Sequence, residues 1–446
     1  MKIVCIGAGP AGLYFAICAK LAFPGHDITV RERDPKGATY GWGVCFNDEL
    51  FDLLFDNDRK SGRAVRRTSV LWRTQETHLD GGVSRMGGYG FAVLRAAFLD
   101  ALARRAVELG VRLEYDHPVE GLGELSDADL IVAADGAGSR IRELHGEHTG
   151  TRVEIGRNPY IWLGTDKVFR GMVFAAEPTP AGWIWLHAYP SSGSVSTCVV
   201  ECGEETWRWL GLDQCNEADG LRLLQKLFEQ PLDGHSLISQ ARGEPARWLR
   251  FKDVTNARWT HGNVVLIGDA AHTTHFTVGW GTRLALIDAV ELVRSLRDYP
   301  DDLPMALCDF DERSRPFMRR MQSRARGSMN WYEHADDYLG GRTAVEAAYA
   351  MANRNSSSPR RSLQRFRFAQ RPPLRWVHTA RDTARRIRSA AERGEYAFLP
   401  ASHRGPAPVT RPLRSGPAGS AGGDRPATTS ATTATEQVRA AAHGRG

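Results

Sequence analysis

With 446 residues, 42% of them apolar, the chain is long enough for two domains or one large two-layer unit with an appended tail; its longest apolar runs, such as Val264 to Ile267, are far short of the roughly 18 residues a membrane span needs. Seven scattered cysteines, with Cys198 and Cys202 fitting no C-x-x-C spacing, give no metal or redox framework and are expected to be reduced. The net charge of +6 arises at the C-terminal end: from Gly341 onward 19 Arg face 6 Asp plus Glu, a balance of +13 that leaves −7 for residues 1–340, so nucleic-acid binding by the folded body is not indicated.

Lys2 to Ile6 is an apolar β-branched run that stops at Gly7, and an apolar-periodic segment follows from Pro10 to Leu21. This predicts strand, tight turn and helix. Gly7, Gly9 and Gly12 fall at the G-x-G-x-x-G spacing, in which the first glycine makes the turn, the second admits a pyrophosphate and the third lets helix pack on strand. A second strand, Asp27 to Arg31, ends in Glu32, an acid placed to hold a ribose diol. The unit is a dinucleotide site. No charged-then-apolar leader precedes the first strand, which points to a cytoplasmic protein.

Gly37 to Val44 is a glycine-punctuated loop around Trp42, readable as an ordinary surface loop or as a mobile segment close to a bound ring. Asn47 to Asp58 reads as a short helix and Val70 to Thr77 as a strand. Gly87 to Gly90 then leads into a long helix expected over Phe91 to Leu109, with Arg95 in its first turn. Strands at Val111 to Tyr115 and Asp129 to Ala133 complete a doubly wound α/β sheet. The last of these ends in Asp135-Gly136, at the crevice where such folds bind ligands, although an Asp capping the next helix would look the same.

From Arg157 to Glu201 the texture changes to short aromatic-rich segments, expected to form an antiparallel sheet roofing a ligand pocket, with Trp183, Trp185, His187 and Tyr189 projecting alternately to its two faces. Glu217 to Gln230 is an amphipathic helix. Gly262 to His272 returns to the first fold as a buried strand ending in Gly268-Asp269, and Gly279-Trp280-Gly281-Thr282-Arg283 opens a helix to about Arg297 whose N-terminus can aim N–H groups at the same crevice. A further helical stretch, roughly Met305 to Gly340, carries Trp331, Tyr332, Glu333 and His334. Asn353 to Ser358 breaks the pattern, Pro359 to Arg388 is Arg-dense with some helical periodicity, and from about Ala401 composition alone predicts disorder.

The expected fold is α/β: a Rossmann-like dinucleotide-binding domain with an inserted antiparallel-sheet substrate domain, a helical C-terminal part and a disordered tail. The divisions are 1–156 (first part of the nucleotide domain), 157–255 (β-rich), 256–340 (return and helices), 341–400 (Arg-rich extension) and 401–446 (tail).

GAGPAG, Asp135-Gly136 and Gly268-Asp269, in that order over about 270 residues, resemble the motifs of the single-component FAD-dependent aromatic monooxygenases of the p-hydroxybenzoate hydroxylase class. Arg157 to Gly164, His187-Ala-Tyr189, His275 to Thr282 and Arg324 to Glu333 are similar to the branch holding salicylyl-CoA 5-hydroxylase, anthraniloyl-CoA monooxygenase and the violacein-pathway tryptophan hydroxylase. The resemblance covers roughly Met1 to Gly340. It implies that the turn from Gly7 through Gly9, Pro10 and Ala11 to Gly12 cradles the FAD pyrophosphate, that Glu32 holds the adenosine ribose, and that Arg33 and Arg95 contact FAD. It implies further that Asp269 binds the ribityl chain or pyrophosphate, that Gly279, Gly281 and Thr282 face the flavin pyrimidine edge, and that Asp135 serves both FAD and a transient NAD(P)H. Phe276 stands near the place where the class usually has proline, and Arg283 where Asn is common; the CoA-thioester branch carries Lys there, with which a cation agrees.

On this reading the chain hydroxylates an electron-rich aromatic ring with O2 and NAD(P)H through a flavin C4a-hydroperoxide. The substrate is an aryl thioester, on CoA or on a carrier protein, with free tryptophan or another indole as the alternative. His187 and His275 are the candidates for polarising the ring substituent, since imidazole can accept a proton near neutral pH, and Trp42, Trp185, Tyr189, Trp280 and Trp331 for lining the substrate. No metal and no membrane partner is expected. Three competitors remain: a flavin-dependent halogenase, since Trp183-Ile-Trp185-Leu begins like W-x-W-x-I-P before departing at His187-Ala188; a plain NAD dehydrogenase, which leaves Gly268-Asp269 without a role; and a non-enzymatic protein whose Arg-rich tail binds RNA or an acidic partner.

Overall fold

The computed structural model describes residues 1–395 apart from 40, 241–244 and 355–361. The tail expected from 401 onward therefore lies outside the described residues, as does most of the break at 353–358.

Two sheets organise the chain, one of six strands and one of nine. In the first, Lys2–Ile6 lies between Asp27–Arg31 and Leu130–Ala133, parallel to both. Arg112–Glu114 extends the sheet on the Asp27 side and Val264–Leu266 on the other, with Thr260–His261 antiparallel at that edge. Having moved outward on one side of Lys2–Ile6, the chain resumes on the other, so strand order reverses beside the first strand. A crevice opens there at the carboxyl ends. Helices Pro10–Ala22 and Gly281–Asp298 pack together on this sheet, burying Leu13, Phe15, Ile17, Leu286 and Leu292 in the main core.

The nine-stranded sheet runs, edge to edge, Leu237–Ile238, Arg152–Thr165, Ser196–Cys202, Gly182–Pro190, Met172–Thr179, Val70–Leu79, Gly82–Leu94, Gly43–Phe46, and Leu249–Thr255 pairs with Arg152–Thr165. Three of its strands thus come from before residue 157. It is antiparallel except where Val70–Leu79 meets Met172–Thr179 in parallel. The helix expected over Phe91 to Leu109 begins only at Arg95. Phe91 to Leu94 belong to the Gly82–Leu94 strand, where aromatic and β-branched side chains alternate between faces and the backbone pairs on both sides.

The expected alternation of Trp183, Trp185, His187 and Tyr189 is also corrected. Residues two apart on a strand share a face. The even members Ile184, Leu186 and Ala188 pack into one core with Phe228 and Leu232, while Trp185 and Tyr189 join clusters on the opposite face. That second face looks toward Leu303–Glu333, since His187 and Trp185 both pack on Tyr332.

After Leu303–Glu333 come Ala335–Leu339, Ala344–Ala352, Leu363–Ala369 and Pro372–Glu392. The last helix packs against Gly82–Leu94 and delivers Arg393, 5% exposed, to Asp48 at 2.9 Å, Asp52 at 2.6 Å and Glu395. Arg66 pairs with Glu395 at 3.2 Å, and Arg59 donates to the Arg393 carbonyl at 2.7 Å. The Arg-rich extension therefore folds back over the early helices Asp48–Asn57 and Arg59–Thr68. All seven cysteines are unbridged.

Candidate active site

A cleft of about 630 Å³ lies at the carboxyl ends of the parallel strands. Gly7, Gly9, Pro10, Ala11, Glu32, Arg33, Arg95, Asp135, Asp269, Gly281 and Thr282 border it. Gly12 and Gly279 do not border it. A Cβ at Gly12 would fall 2.1 Å from the Gly7 carbonyl oxygen, and one at Gly7, where φ is +103°, 2.5 Å from the Ala134 oxygen. Both are glycine because protein backbone fills the space. Gly9 differs: its nearest protein neighbour would be 4.0 Å from a Cβ, so the room beside it belongs to the cleft.

Glu32 braces the turn, with Oε2 accepting the Ala8 N–H at 2.7 Å and Oε1 the Asp34 N–H at 3.1 Å. Arg95 opens the helix Arg95–Glu108, and its Nε is buried with no partner. Burial holds its guanidinium below the usual arginine range, against the pull of Asp269 and Glu32. Asp135 caps the helix after it, its Oδ2 accepting the Arg140 N–H at 2.8 Å and the Ile141 N–H at 3.3 Å. Its Oδ1 is buried without a partner, and burial pushes its carboxyl, like that of Asp269, above the usual range. Arg33 lies at the rim, 3.7 Å from the Asp34 carboxylate.

The sequence reading missed the side chains that join these turns. Arg142, 4% exposed, donates to the carbonyls of Ala137 at 2.6 Å and Ala270 at 3.0 Å, tying the two acidic turns together. Asp288 accepts both the Gly268 N–H at 2.7 Å and a hydrogen bond with His272 Nε2 at 2.8 Å, fixing the turn to Gly281–Asp298. Only the missing partner of a polar residue mid-helix could have signalled either. Arg283, the cation where the CoA-thioester branch carries Lys, pairs with Glu49.

Where the two sheets meet, Trp42 lies on Gly164, where a Cβ would be 2.7 Å from its ring, and its carbonyl accepts the Arg95 N–H at 2.8 Å. Tyr189 donates its hydroxyl to the Gly43 carbonyl at 2.8 Å. The glycines beside Trp42 serve packing: a Cβ at Gly43 would be 2.3 Å from Ser191 Oγ, and one at Gly41 2.8 Å from the Trp162 ring. Trp280 is half-buried against the main core. Trp185 and Trp331 are buried in one cluster with Phe174 and Tyr332. Trp185 donates Nε1 to Glu201 at 3.3 Å, and Trp331 stacks on Tyr338 at 5.0 Å.

His187 is enclosed by Phe174 and Tyr332, each ring 5.2 Å away, and its Nε2 is buried without a partner. His275 sits between Phe251 and Phe276, with Nδ1 2.8 Å from Thr277 Oγ1. Thr277 continues to Ser328 Oγ at 2.9 Å, and Arg354 donates to Ser328 Oγ and the Thr277 carbonyl, both at 2.8 Å. Burial first, then the Arg354 charge, push His187 down to about 3; burial, His187 and Arg354 do the same to His275. Both are neutral near pH 7, so they hydrogen-bond rather than take up a proton there, contrary to the expectation from free imidazole. Beside these histidines, Glu201, which the sequence did not single out, is a group that titrates near neutrality. It is 1% exposed, and burial lifts it to about 7 although Asn158 and Trp185 donate to it.

The cleft fits a dinucleotide. It has an open cradle at Gly9, a buried cationic donor at Arg95 and an unpartnered carboxylate oxygen at Asp135, and it continues to the N-terminus of Gly281–Asp298. Parallel sheet, glycine turn and acidic turns together define an FAD-binding fold. A family model described as "FAD binding domain" matches residues 100–301. The chain is 38% identical over 76% of its length, and 66% of the relative's, to a salicyloyl-CoA 5-hydroxylase of Streptomyces sp. It is 36% identical over 76% of its length and 90% of the relative's to the 3-hydroxy-4-methyl-anthranilyl-[aryl-carrier protein] 5-monooxygenase of Streptosporangium sibiricum. Among solved structures, the tetrameric form of 2-methyl-3-hydroxypyridine-5-carboxylic acid oxygenase shares the fold, with a TM-score of 0.61 at 20% identity over 78% of this chain and 95% of that one. The chain belongs to the FAD-dependent aromatic monooxygenases of the p-hydroxybenzoate hydroxylase class, and is an enzyme. Among the described residues no helix is long and apolar enough to cross a membrane, and no group of His, Cys, Asp or Glu is placed to hold a metal.

Proposed function

We propose that this monooxygenase hydroxylates the ring of an aryl thioester, carried on CoA or on a carrier protein. The observation that carries the reading is His187 Nε2, a buried hydrogen-bonding atom with no protein partner, set among the Phe174 and Tyr332 rings. A planar aromatic ring bearing a hydroxyl or amine would supply both the stacking surface and the missing hydrogen bond. The two relatives named for CoA-bound and carrier-bound aryl substrates support the thioester.

The residues assigned to FAD are the Gly7 to Gly12 turn, Glu32, Arg33, Arg95, Asp135, Asp269 and the backbone of Gly279 to Thr282. Bound FAD supplies the redox chemistry, accepting reducing equivalents from NAD(P)H and activating O2. The chain positions the ring and excludes water, with His187 neutral and its Nε2 turned to the ring substituent. Glu201, on the same strand face as His187's neighbour Val199, is the nearby group able to exchange a proton at neutral pH.

The test is NADPH oxidation and product formation with salicylyl-CoA, anthraniloyl-CoA, free salicylate and tryptophan. Stimulation by a thioester and not by the free acids is expected. Stimulation by free salicylate or tryptophan alone would reject the thioester.

A further inference from the structure

The Arg-rich C-terminal helix holds a cation that the fold leaves unmatched. Arg386 on Pro372–Glu392 is 4% exposed, and its Nη1 is buried with no hydrogen-bond partner. It forms the floor of a notch against the Val70–Leu79 and Gly82–Leu94 hairpin, lined by Arg73, Gly88, Tyr89, Thr379, Asp382 and Thr383. The notch holds about 10 Å³, room for a single oxygen atom. Arg73 and Thr379 stand exposed at its rim.

The electrostatics point the same way. Burial and the charges of Arg73 and Arg66 all disfavour the Arg386 cation, opposed by Tyr89 and Asp48. Asp48 is already taken, receiving Arg393 and the Tyr89 hydroxyl. Asp382, one helical turn before Arg386, forms no ion pair with it among the described residues. A buried guanidinium lacking an acceptor is stabilised by an anion that places one oxygen in the notch. Outside, Arg381, Arg385 and Arg388 are exposed at i, i+4 and i+7, so one stripe of the helix would draw the rest of that anion in.

We propose that this notch is a phosphate site, in which Arg386, with Arg73 at the rim, receives one oxygen of a phosphate on the pantetheine-bearing end of the substrate. The proposal rests on the thioester reading above. CoA and the phosphopantetheine arm of a carrier protein present the same chemistry.

The test uses the full-length, FAD-loaded enzyme and the variants Arg386→Gln and Arg73→Gln, the second being a rim substitution on an exposed side chain should the first impair folding. Inorganic phosphate raises the Tm of the parent protein and shifts both variants less; equal shifts in all three overturn the site. The KM for salicylyl-CoA, or for a carrier-bound aryl thioester, then rises about tenfold in the variants, the loss of one charge-assisted hydrogen bond. A rise confined to one substrate identifies the source of the phosphate, and an unchanged KM for both overturns the assignment. A phosphate effect that disappears in the variants while no thioester is turned over keeps the anion site and rejects the thioester reading.

Discussion

The carboxylate of Glu32 accepts the backbone N–H of Ala8 at 2.7 Å, so the acid ending the second strand holds the glycine turn that ends the first. Its other oxygen takes the Asp34 N–H. Glu32 thus shapes the cleft before any ribose reaches it. Glu32→Ala removes an acceptor from a part-buried N–H and should cost about 1–3 kcal/mol of stability. It should also weaken FAD retention by at least about tenfold. Thermal unfolding and flavin released on denaturation measure the two effects.

Gly9 and Gly12 should respond oppositely to alanine. At Gly12 the new Cβ would lie 2.1 Å from the Gly7 oxygen, whereas at Gly9 it meets nothing nearer than 4.0 Å, and the Gly9 backbone, with φ −75°, suits any residue. Gly12→Ala should lose about 3 kcal/mol or more through overpacking, and Gly9→Ala should purify without yellow colour yet keep the Tm of the flavin-stripped parent. A flavin-replete Gly9→Ala would show that the cradle is misassigned.

Replacement of His187 separates ring positioning from cofactor binding. His187→Gln should leave flavin content intact and lower product formed per NAD(P)H oxidised by about tenfold or more, in the range of a lost acid–base or polarising group. Because burial holds His187 at about 3, its ionisation should leave no inflection in kcat between about pH 5 and 8. Product yield measured against NAD(P)H consumed checks the first statement, and kcat measured across that pH range the second.

Glu201 makes stability depend on pH around neutrality. Burial raises its folded pKa to about 7, so its contribution is fully present below the usual glutamate range and is lost as pH rises through about 7. The loss for a shift of this size is of the order of 3 kcal/mol. Denaturant midpoints of the parent protein should fall between pH 5 and 8 more steeply than those of Glu201→Gln. Parallel curves would remove Glu201 as the neutral-pH proton carrier.

The first βαβ unit was legible because its signals are local. A glycine at a positive φ, a helix starting with Pro10 and an acid at the end of the next strand are each dictated within a few residues of sequence. Asp135 and Asp269 were readable for the same reason, since both follow a short apolar strand. The span Phe91 to Leu94 was misread because its apolar spacing suits a helix as well as a strand, and only pairing with Gly43–Phe46 and Val70–Leu79 decides between them.

Sequence by itself determined the nucleotide-binding sheet and the order of its three turn motifs, because backbone conformation and strand–turn–helix succession are short-range properties. Only the tertiary structure decided what those turns rest on and which side chains are left over. Arg142 joins its own turn to the Ala270 carbonyl 128 residues away, and Asp288 reaches back from the next helix to the Gly268 N–H. Arg283 is paired by Glu49, Trp185 and Trp331 pack in one cluster with Phe174 and Tyr332, and Glu201, His187 and Arg386 acquire their character from burial. Desolvation and the presence or absence of a partner are set by neighbours remote in sequence, which no motif records.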